Sequence, residues 1–202
     1  PEQLEEVGVS VYASVPLSEW LNKKNKPERT NRSGGRKRQS EIKFLAVENP
    51  ADLAIEAIRS LRTSLHFAMM EARNNILMIS GSTQNAGKTF IASNLAAVIA
   101  QSGKKVLFID ADMRKGYSHK LFRFTGELGL ADILSGRINI NQIEKHVPQI
   151  GIDFIPRGKL PPNPSELLMH KRLSSMLDWA SDNYDLVIID TPPVLAVTDA
   201  AI

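Results

Sequence analysis

The sequence predicts an α/β fold, a doubly wound parallel sheet with helices on both faces, and three observations carry that prediction. Short runs that are apolar at nearly every position, at 76–80, 106–109, 152–155 and 186–189, alternate with longer helix-like stretches, the pattern of parallel strands buried on both faces. The first run passes through a glycine-bearing loop directly into one of those stretches, 90–101. The second and the last run end on aspartate, in Ile109-Asp110-Ala111-Asp112 and Ile189-Asp190-Thr191-Pro192-Pro193. In parallel sheets ligands bind beyond the carboxyl ends of the strands, so these acids fall where chemistry is expected.

The chain has 202 residues, 43% hydrophobic and 23% charged, with 12 Gly and 11 Pro. It is long enough for one cored domain plus an extension, and its composition excludes collagen-like, wholly disordered and disulfide-scaffold classes. The absence of Cys removes disulfide and thiolate chemistry. The longest purely apolar run, 95–100, is far short of the roughly 20 residues that cross a bilayer as a helix. The chain opens at Pro1 with no charged-then-apolar leader and is expected to be a piece of a longer protein.

Residues 1–21 contain the alternation Val7-Gly8-Val9-Ser10-Val11-Tyr12-Ala13, which predicts a strand docked on the core. Residues 22–47 are expected to form a flexible linker. Lys23, Lys24, Lys26, Arg29, Arg32, Arg36, Lys37 and Arg38 stand there against Glu28 alone, with no periodic apolar position. The chain's formal charge of +3 is thus concentrated in this stretch and the remainder is net negative. Two readings stay open: a solvated tether, or a polybasic segment on anionic lipid, where each Lys or Arg contributes about 1 kcal/mol. Nucleic acid is not expected as a partner, because no aromatic residue is interleaved to stack on bases.

The core domain is expected over 48–202. It opens with a helix at 52–72, apolar at Leu53, Ile55, Ile58, Leu61, Leu65 and Met69 after Pro50. Glu56, Arg59 and Arg62 share a face of that helix, a spacing that by itself means ordinary surface pairing. A helix at 165–181 precedes the last strand, and Asn163-Pro164-Ser165-Glu166 reads as its start, with Pro at the first helical position.

After the strand at 76–80 comes Gly81-Ser82-Thr83-Gln84-Asn85-Ala86-Gly87-Lys88-Thr89, with Phe90 continuing into helix. Such a loop aims successive backbone N–H groups and the positive end of a helix at phosphates, Lys88 reaches the β and γ oxygens, and the Thr89 hydroxyl suits Mg²⁺. All ten residues, Gly81 to Phe90, are taken as candidate nucleotide contacts. The loop departs from the strict phosphate-loop pattern, because Ser82 occupies the first Gly slot and Gly81 lies one residue early. Asp110, Asp112 and Asp190 can converge on it, Asp112 and Asp190 as further metal ligands, although Asp also caps helices.

This loop, the run Ile-Asp-Ala-Asp-Met-Arg-Lys-Gly-Tyr (109–117), the run Pro-Arg-Gly-Lys-Leu-Pro-Pro-Asn-Pro-Ser-Glu-Leu-Leu (156–168) and Ile-Asp-Thr-Pro-Pro (189–193) together resemble the bacterial tyrosine autokinases of exopolysaccharide and capsule export, of the Wzc, Etk and AmsA type. The resemblance covers essentially the whole chain. It implies a deviant-Walker P-loop kinase domain that uses ATP and Mg²⁺, faces the cytoplasm and follows a transmembrane helix of an inner-membrane protein. The basic linker would then lie near anionic lipid, and a tyrosine-rich tail would follow Ile202. The resemblance further implies a ring-like homo-oligomer that phosphorylates in trans, joined through an E-x-x-R-x-x-R contact at Glu56, Arg59 and Arg62. It implies a low-molecular-weight tyrosine phosphatase and polysaccharide export machinery as partners. It also implies an internal regulatory tyrosine, Tyr117, whose phosphate is expected to pair with Arg157, helped by Arg114 or Lys115. Gln84 departs from the family, where many relatives have Pro.

A tyrosine hydroxyl titrates near 10 and a carboxyl near 4, so full deprotonation by Asp would cost about 8 kcal/mol. A loose phosphoryl-transfer transition state needs little prior activation of the nucleophile. Lys88 is therefore expected to carry charge neutralisation, with Asp110 as orienter and late base and Asp112 beside it. Of the other tyrosines, Tyr184 is read as packing. His66, His119, His146 and His170 show no metal-ligand spacing. The competing readings are a partition or division-site ATPase switch of the ParA/MinD kind, which would carry a second Lys where Ser82 and Thr83 stand, and a nucleotide-binding assembly module without transfer.

Overall fold

The computed structural model describes residues 6, 8, 10–24, 44–124, 128–143 and 145–193. Along the chain run α1 (Glu19–Lys24), α2 (Leu45–Glu48), α3 (Leu53–Met70), β1 (Ile76–Ile79), α4 (Lys88–Ala100), β2 (Val106–Asp110), α5 (Ser118–Leu121), α6 (Leu130–Leu134), β3 (Lys145–Val147), β4 (Ile152–Ile155), α7 (Pro164–Leu168), α8 (Lys171–Asn183) and β5 (Leu186–Asp190). The strands form one sheet in the order β1-β5-β2-β4-β3. All neighbours are parallel except β3, which runs antiparallel to β4.

Alternation along the strands divides the core into two layers. Val106, Phe108, Phe154 and Ile188 point to one face, against Leu45 of α2, Ile55 and Ile58 of α3, and Leu95 of α4. Leu107, Ile109, Ile155 and Val187 point to the other, against Leu130 and Leu134 of α6 and Met176 and Ala180 of α8. Both faces are covered, so the strands read as continuous apolar runs. On the first face Phe44, Phe108, Phe122 and Phe154 interlock, with ring centroids 4.4 Å apart for Phe122 and Phe154 and 5.5 Å apart for Phe44 and Phe122.

The register brings the strand ends level. Asp110 stands opposite Asp190 across β2 and β5, and Ile79 stands opposite Asp190 across β1 and β5. The phosphate loop, the 111–117 turn and the 191–193 segment therefore leave the sheet at one end.

Several sequence expectations need correction. Within the strand expected at 7–13, Val7 and Val9 lie outside the described residues and 10–13 form no strand. This segment runs along a helix, where Ser64 Oγ donates to the Tyr12 carbonyl at 3.5 Å, and so has no strand edge to pair with. It meets the core through Val15, Trp20 and Leu21. Ser18 Oγ donates to Asp52 Oδ2 at 2.7 Å, while Asp52 Oδ1 caps α3 by accepting from the Ala54 amide at 2.9 Å. The core begins before residue 48, because Phe44, Leu45 and Ala46 are buried and the Ala46 amide donates to Asn94 Oδ1 at 2.9 Å. The basic stretch between residues 25 and 43 lies outside the described residues. The helix expected at 165–181 is two helices, because the His170 side chain accepts from the Arg172 amide and starts α8 afresh. Asn163 precedes α7 but donates to Glu166 Oε2 at 2.7 Å instead of capping the backbone. The edge strand β3 has only three residues, too few to show a period.

Gly129, where α6 begins, is held by contact and not by backbone angle. A Cβ there would lie 2.1 Å from the Gly158 nitrogen and 2.2 Å from the Pro156 carbonyl oxygen. Both are backbone atoms, so Gly129→Ala is expected to destabilise the domain by about 3 kcal/mol, at the upper end of overpacking costs. Urea unfolding of the variant checks this, and a loss below about 1 kcal/mol would contradict it.

Candidate functional site

The loop between β1 and α4 owes its shape to two residues with positive φ, Asn85 at 60° and Gly87 at 86°. Gly87 is the residue before α4, so Lys88 and Thr89 belong to the first turn of that helix and not to the loop, as the expected start at Phe90 had it. The Lys88 ammonium folds back onto the Thr83 carbonyl at 3.2 Å. Its stem crosses Gly81, where a Cβ would lie 3.0 Å from the lysine Cγ and Cδ.

A cavity of about 450 Å³ opens at this end of the sheet, walled by Gln84, Asn85, Gly87, Lys88 and Thr89 from the loop, Asp112 to Tyr117 except Met113 from the turn after β2, and Asp190 to Pro193 after β5. Of the ten expected nucleotide contacts, Gly81, Ser82, Thr83, Ala86 and Phe90 are not on this wall. Gly81 instead makes room for the Lys88 stem, and Phe90 packs on the core.

Asp190 is buried and accepts from Thr89 Oγ1 at 2.6 Å through Oδ2, while its Oδ1 is buried without a partner. Burial pushes its carboxyl up to about 6, opposed by the Thr89 hydrogen bond, raised further by Asp112 and lowered by Lys88. Asp110 is fully buried. Burial first and the neighbouring Asp190 second push it up to about 7, against the Ser118 amide, which donates to Oδ2 at 3.2 Å. Its Oδ1 accepts from the Asp112 amide at 3.2 Å.

Asp110, expected as orienter and late base, sits behind this wall with its oxygens accepting from the Ser118 and Asp112 amides. A Cβ on Gly116 would lie 2.4 Å from Asp110 Oδ1, so the turn closes over the carboxylate. The acid that faces the cavity is Asp112, whose Oδ1 accepts from the Lys115 amide at 2.8 Å and the Arg114 amide at 3.2 Å.

An orphaned carboxylate oxygen beside a hydroxyl and a second carboxylate is a hard-oxygen donor set. It fits Mg²⁺, which takes one or two carboxylates together with phosphate oxygens and water. Among the described residues no group of three or more His, Cys, Asp or Glu could hold a metal by itself.

Lys115 was expected only as an aid to a phosphate. It is part of the cavity, where its ammonium meets Gln84 Oε1 at 3.2 Å and joins the two loops across the mouth. The sequence signal was its place between two acids and a glycine, which does not reveal the reach of a long side chain. Tyr117 lies on the same wall as Lys88 and Thr89 and is 51% exposed. Arg157 is not on it; its Nε and Nη1 are buried without partners. On α3, Glu56 pairs with Arg59, and Arg59 also donates to the Pro50 carbonyl at 2.8 Å. Arg62 lines a separate groove with His66 and Asp185, away from the phosphate loop. Tyr184 is buried against Trp179, with Lys105 4.4 Å above its ring.

Residues 73–202 match a family model described as an AAA domain. The whole chain is 59% identical over 204 residues to the tyrosine-protein kinase etk of Escherichia coli strain K12. It is 60% identical over 202 residues to a putative tyrosine-protein kinase in the cps region of Klebsiella pneumoniae. In each case the chain spans 28% of the relative's length. The solved kinase domain of Escherichia coli tyrosine kinase ETK superposes with a TM-score of 0.88 at 59% identity, over 100% of this chain and 75% of that one.

The raised acids set a pH dependence. Without divalent cation, the folded protein keeps protons on Asp110 and Asp190 that the unfolded chain has already released. Stability is therefore expected to fall as pH rises from about 4 through the folded values near 6 and 7. Asp110→Asn is expected to flatten the upper part of that decline. Urea titrations across this range check it, and parallel curves for the two proteins would refute the role given to Asp110.

Proposed function

Since the chain belongs to the family of bacterial tyrosine-protein kinases, we propose that it transfers the γ-phosphoryl group of ATP to protein tyrosines. The observation that carries this reading is Tyr117 on the wall of the phosphate cavity, beside Lys88, Thr89 and Asp112. A tyrosine hydroxyl can thus approach the place where a helix N-terminus and a lysine collect phosphate oxygens. The ATPase-switch reading has no use for an acceptor hydroxyl at that position.

Backbone amides of the loop and the Lys88 ammonium hold the phosphates. Thr89, Asp112 and Asp190 would hold Mg²⁺, which supplies neutralisation of phosphate charge. The tyrosine oxygen forms the new bond to γ-phosphorus as the bond from phosphorus to the bridging oxygen breaks, and ADP leaves. The hydroxyl proton passes late in the transfer to Asp110, the carboxylate not assigned to the metal, because a loose transition state needs no prior tyrosinate. Asp110 also fixes the turn that presents Asp112, its Oδ1 accepting from the Asp112 amide.

A phosphate on Tyr117 adds −1.5 to −2 charge beside Asp112 and Asp190. It is repelled from the cavity and pairs with Arg157, whose guanidinium has free buried nitrogens. Tyr117 is thereby the regulatory site, and its modification clears the cavity for tyrosines delivered in trans by neighbouring copies. Glu56, Arg59 and Arg62 form the contact between copies in a ring-like homo-oligomer. In the whole protein this domain faces the cytoplasm at the inner membrane, with the basic segment on anionic lipid. There it regulates polymerisation and export of exopolysaccharide or capsule, opposed by a low-molecular-weight tyrosine phosphatase. Among the described residues no helix is long and apolar enough to cross a membrane.

Incubation with ATP and Mg²⁺, of this chain and of a version extended through the natural C-terminus, is expected to yield phosphotyrosine by mass spectrometry. Lys88→Met is expected to reduce it at least about a hundredfold, the scale of removing one group that stabilises transition-state charge. Lys88-dependent phosphate release without phosphotyrosine in the extended protein would establish an ATPase instead. Sedimentation at high concentration is expected to show oligomers that Arg59→Ala disperses; a monomer in both cases would remove α3 as the contact.

A further inference from the structure

Buried polar atoms without partners are uncommon in folded proteins, and two cationic or titratable residues carry them, Arg157 just after β4 and His119 in α5. Arg157 Nε and Nη1 and His119 Nδ1 are shut from solvent and hydrogen-bonded to nothing. The two residues sense each other: burial lowers the His119 ring from its usual imidazole value, and the Arg157 charge, then Lys120, lowers it further. Both are fixed by backbone. The Arg157 carbonyl accepts from Ala131 at 2.9 Å, next to the Pro156 carbonyl, which accepts from Leu130 at 2.7 Å. The His119 carbonyl accepts from Phe124 at 2.7 Å within the short helix that Tyr117 opens.

The carboxylates on the adjoining elements are already engaged. Asp110 at the end of β2 accepts from the Ser118 and Asp112 amides. Asp132 on α6 accepts from Gly129 at 3.0 Å and pairs with Arg137 at 3.4 Å. The charges that lower His119 are the Arg157 and Lys120 cations, and both His119 and Arg157 keep unfilled hydrogen-bonding positions. That is the character of a site for a phosphate monoester dianion, which offers three acceptor oxygens.

We propose that His119 is the second arm of the receptor for the Tyr117 phosphate, donating beside Arg157 as an imidazolium, so that seating the phosphate takes up a proton. The inference rests on the reading of Tyr117 as a phosphorylated regulatory residue. His119 is a positioning residue: it touches neither ATP nor the acceptor. With the phosphate absent, the ring stays neutral next to Arg157. With it seated, two negative charges reverse the local field and the ring gains its proton. Activation through Tyr117 is then stronger at low pH than at high pH.

The test uses phosphotyrosine encoded genetically at position 117, so that the state exists whether or not the chain phosphorylates itself. The His119 ring is titrated by NMR and identified by its loss in His119→Gln. Phosphorylation is expected to raise its midpoint by about one unit or more. The kinase activity of the phosphorylated protein is expected to fall several-fold from about pH 6 to about pH 8, and this fall to vanish in His119→Gln. An unchanged His119 midpoint would overturn the proposal, as would a midpoint that moves with inorganic phosphate in the unphosphorylated protein but not with phosphotyrosine at 117. Failure of the ordinary protein to phosphorylate Tyr117, read by mass spectrometry, would instead count against the regulatory reading.

Discussion

Asp110 and Asp190 close neighbouring parallel strands in register, both buried, and the rest of the site is arranged around that pair. Two carboxylates this close in a low-dielectric setting resist ionising together. The structure answers with the Thr89 hydroxyl and the Lys88 charge at Asp190, and with two backbone amides at Asp110. Lys88 and Thr89 open α4, and the two amides, of Asp112 and Ser118, bracket the turn after β2, so all of them come from the elements that meet at the cavity. The electrostatic demand of the pair and the shape of the cavity thus have a common source. The orphaned Asp190 oxygen is the part of the demand that the chain alone leaves unmet, and a divalent cation is the group proposed to meet it.

The two acids divide the labour by depth. Asp110, still within β2, is sealed by Gly116 and becomes the anchor of the turn. Asp112, two residues on, emerges on the cavity wall. Strand geometry alone would place both side chains on one face, since residues two apart share it; what separates them is that the strand ends at Asp110. The turn then delivers Lys115 to Gln84 and Tyr117 to the cavity. A glycine at 116 is needed because any side chain there meets the Asp110 carboxylate.

Much of this was legible in the sequence because burial on two faces leaves few choices. Ile152–Ile155 could be bounded to the residue, and β1, β2 and β5 to within one residue at one end. The helix cores of α3 and α4 followed from spacing and from the loop between strand and helix. What was not legible depends on contacts between distant segments. The three residues of β3 carry no period, and their pairing comes from β4. The break between α7 and α8 comes from a histidine acting as a cap, which helix spacing does not reveal. The early start of the core at Phe44 comes from its ring stacking on Phe122. In the site, residue types pointed to three acids, but only depth separates the anchor Asp110 from the cavity-facing Asp112. The family resemblance led to Arg157, while the bare nitrogen of His119 had no signature in spacing.

The position of Arg157 relative to the cavity follows from strand order. β4 lies next to β2, so the segment that begins at Pro156 leaves the sheet beside the turn that carries Tyr117. Neighbouring strand ends lie a single strand spacing apart, about 4.8 Å. The cavity end of that interval is lined by Asp112 and Asp190; the other end holds a cation with unused donors. A neutral tyrosine has little electrostatic reason to prefer either end. A phosphotyrosine does, because the carboxylates proposed to help place ATP·Mg²⁺ repel a second dianion. In the proposed mechanism, the same charges that support transfer thereby drive its product outward.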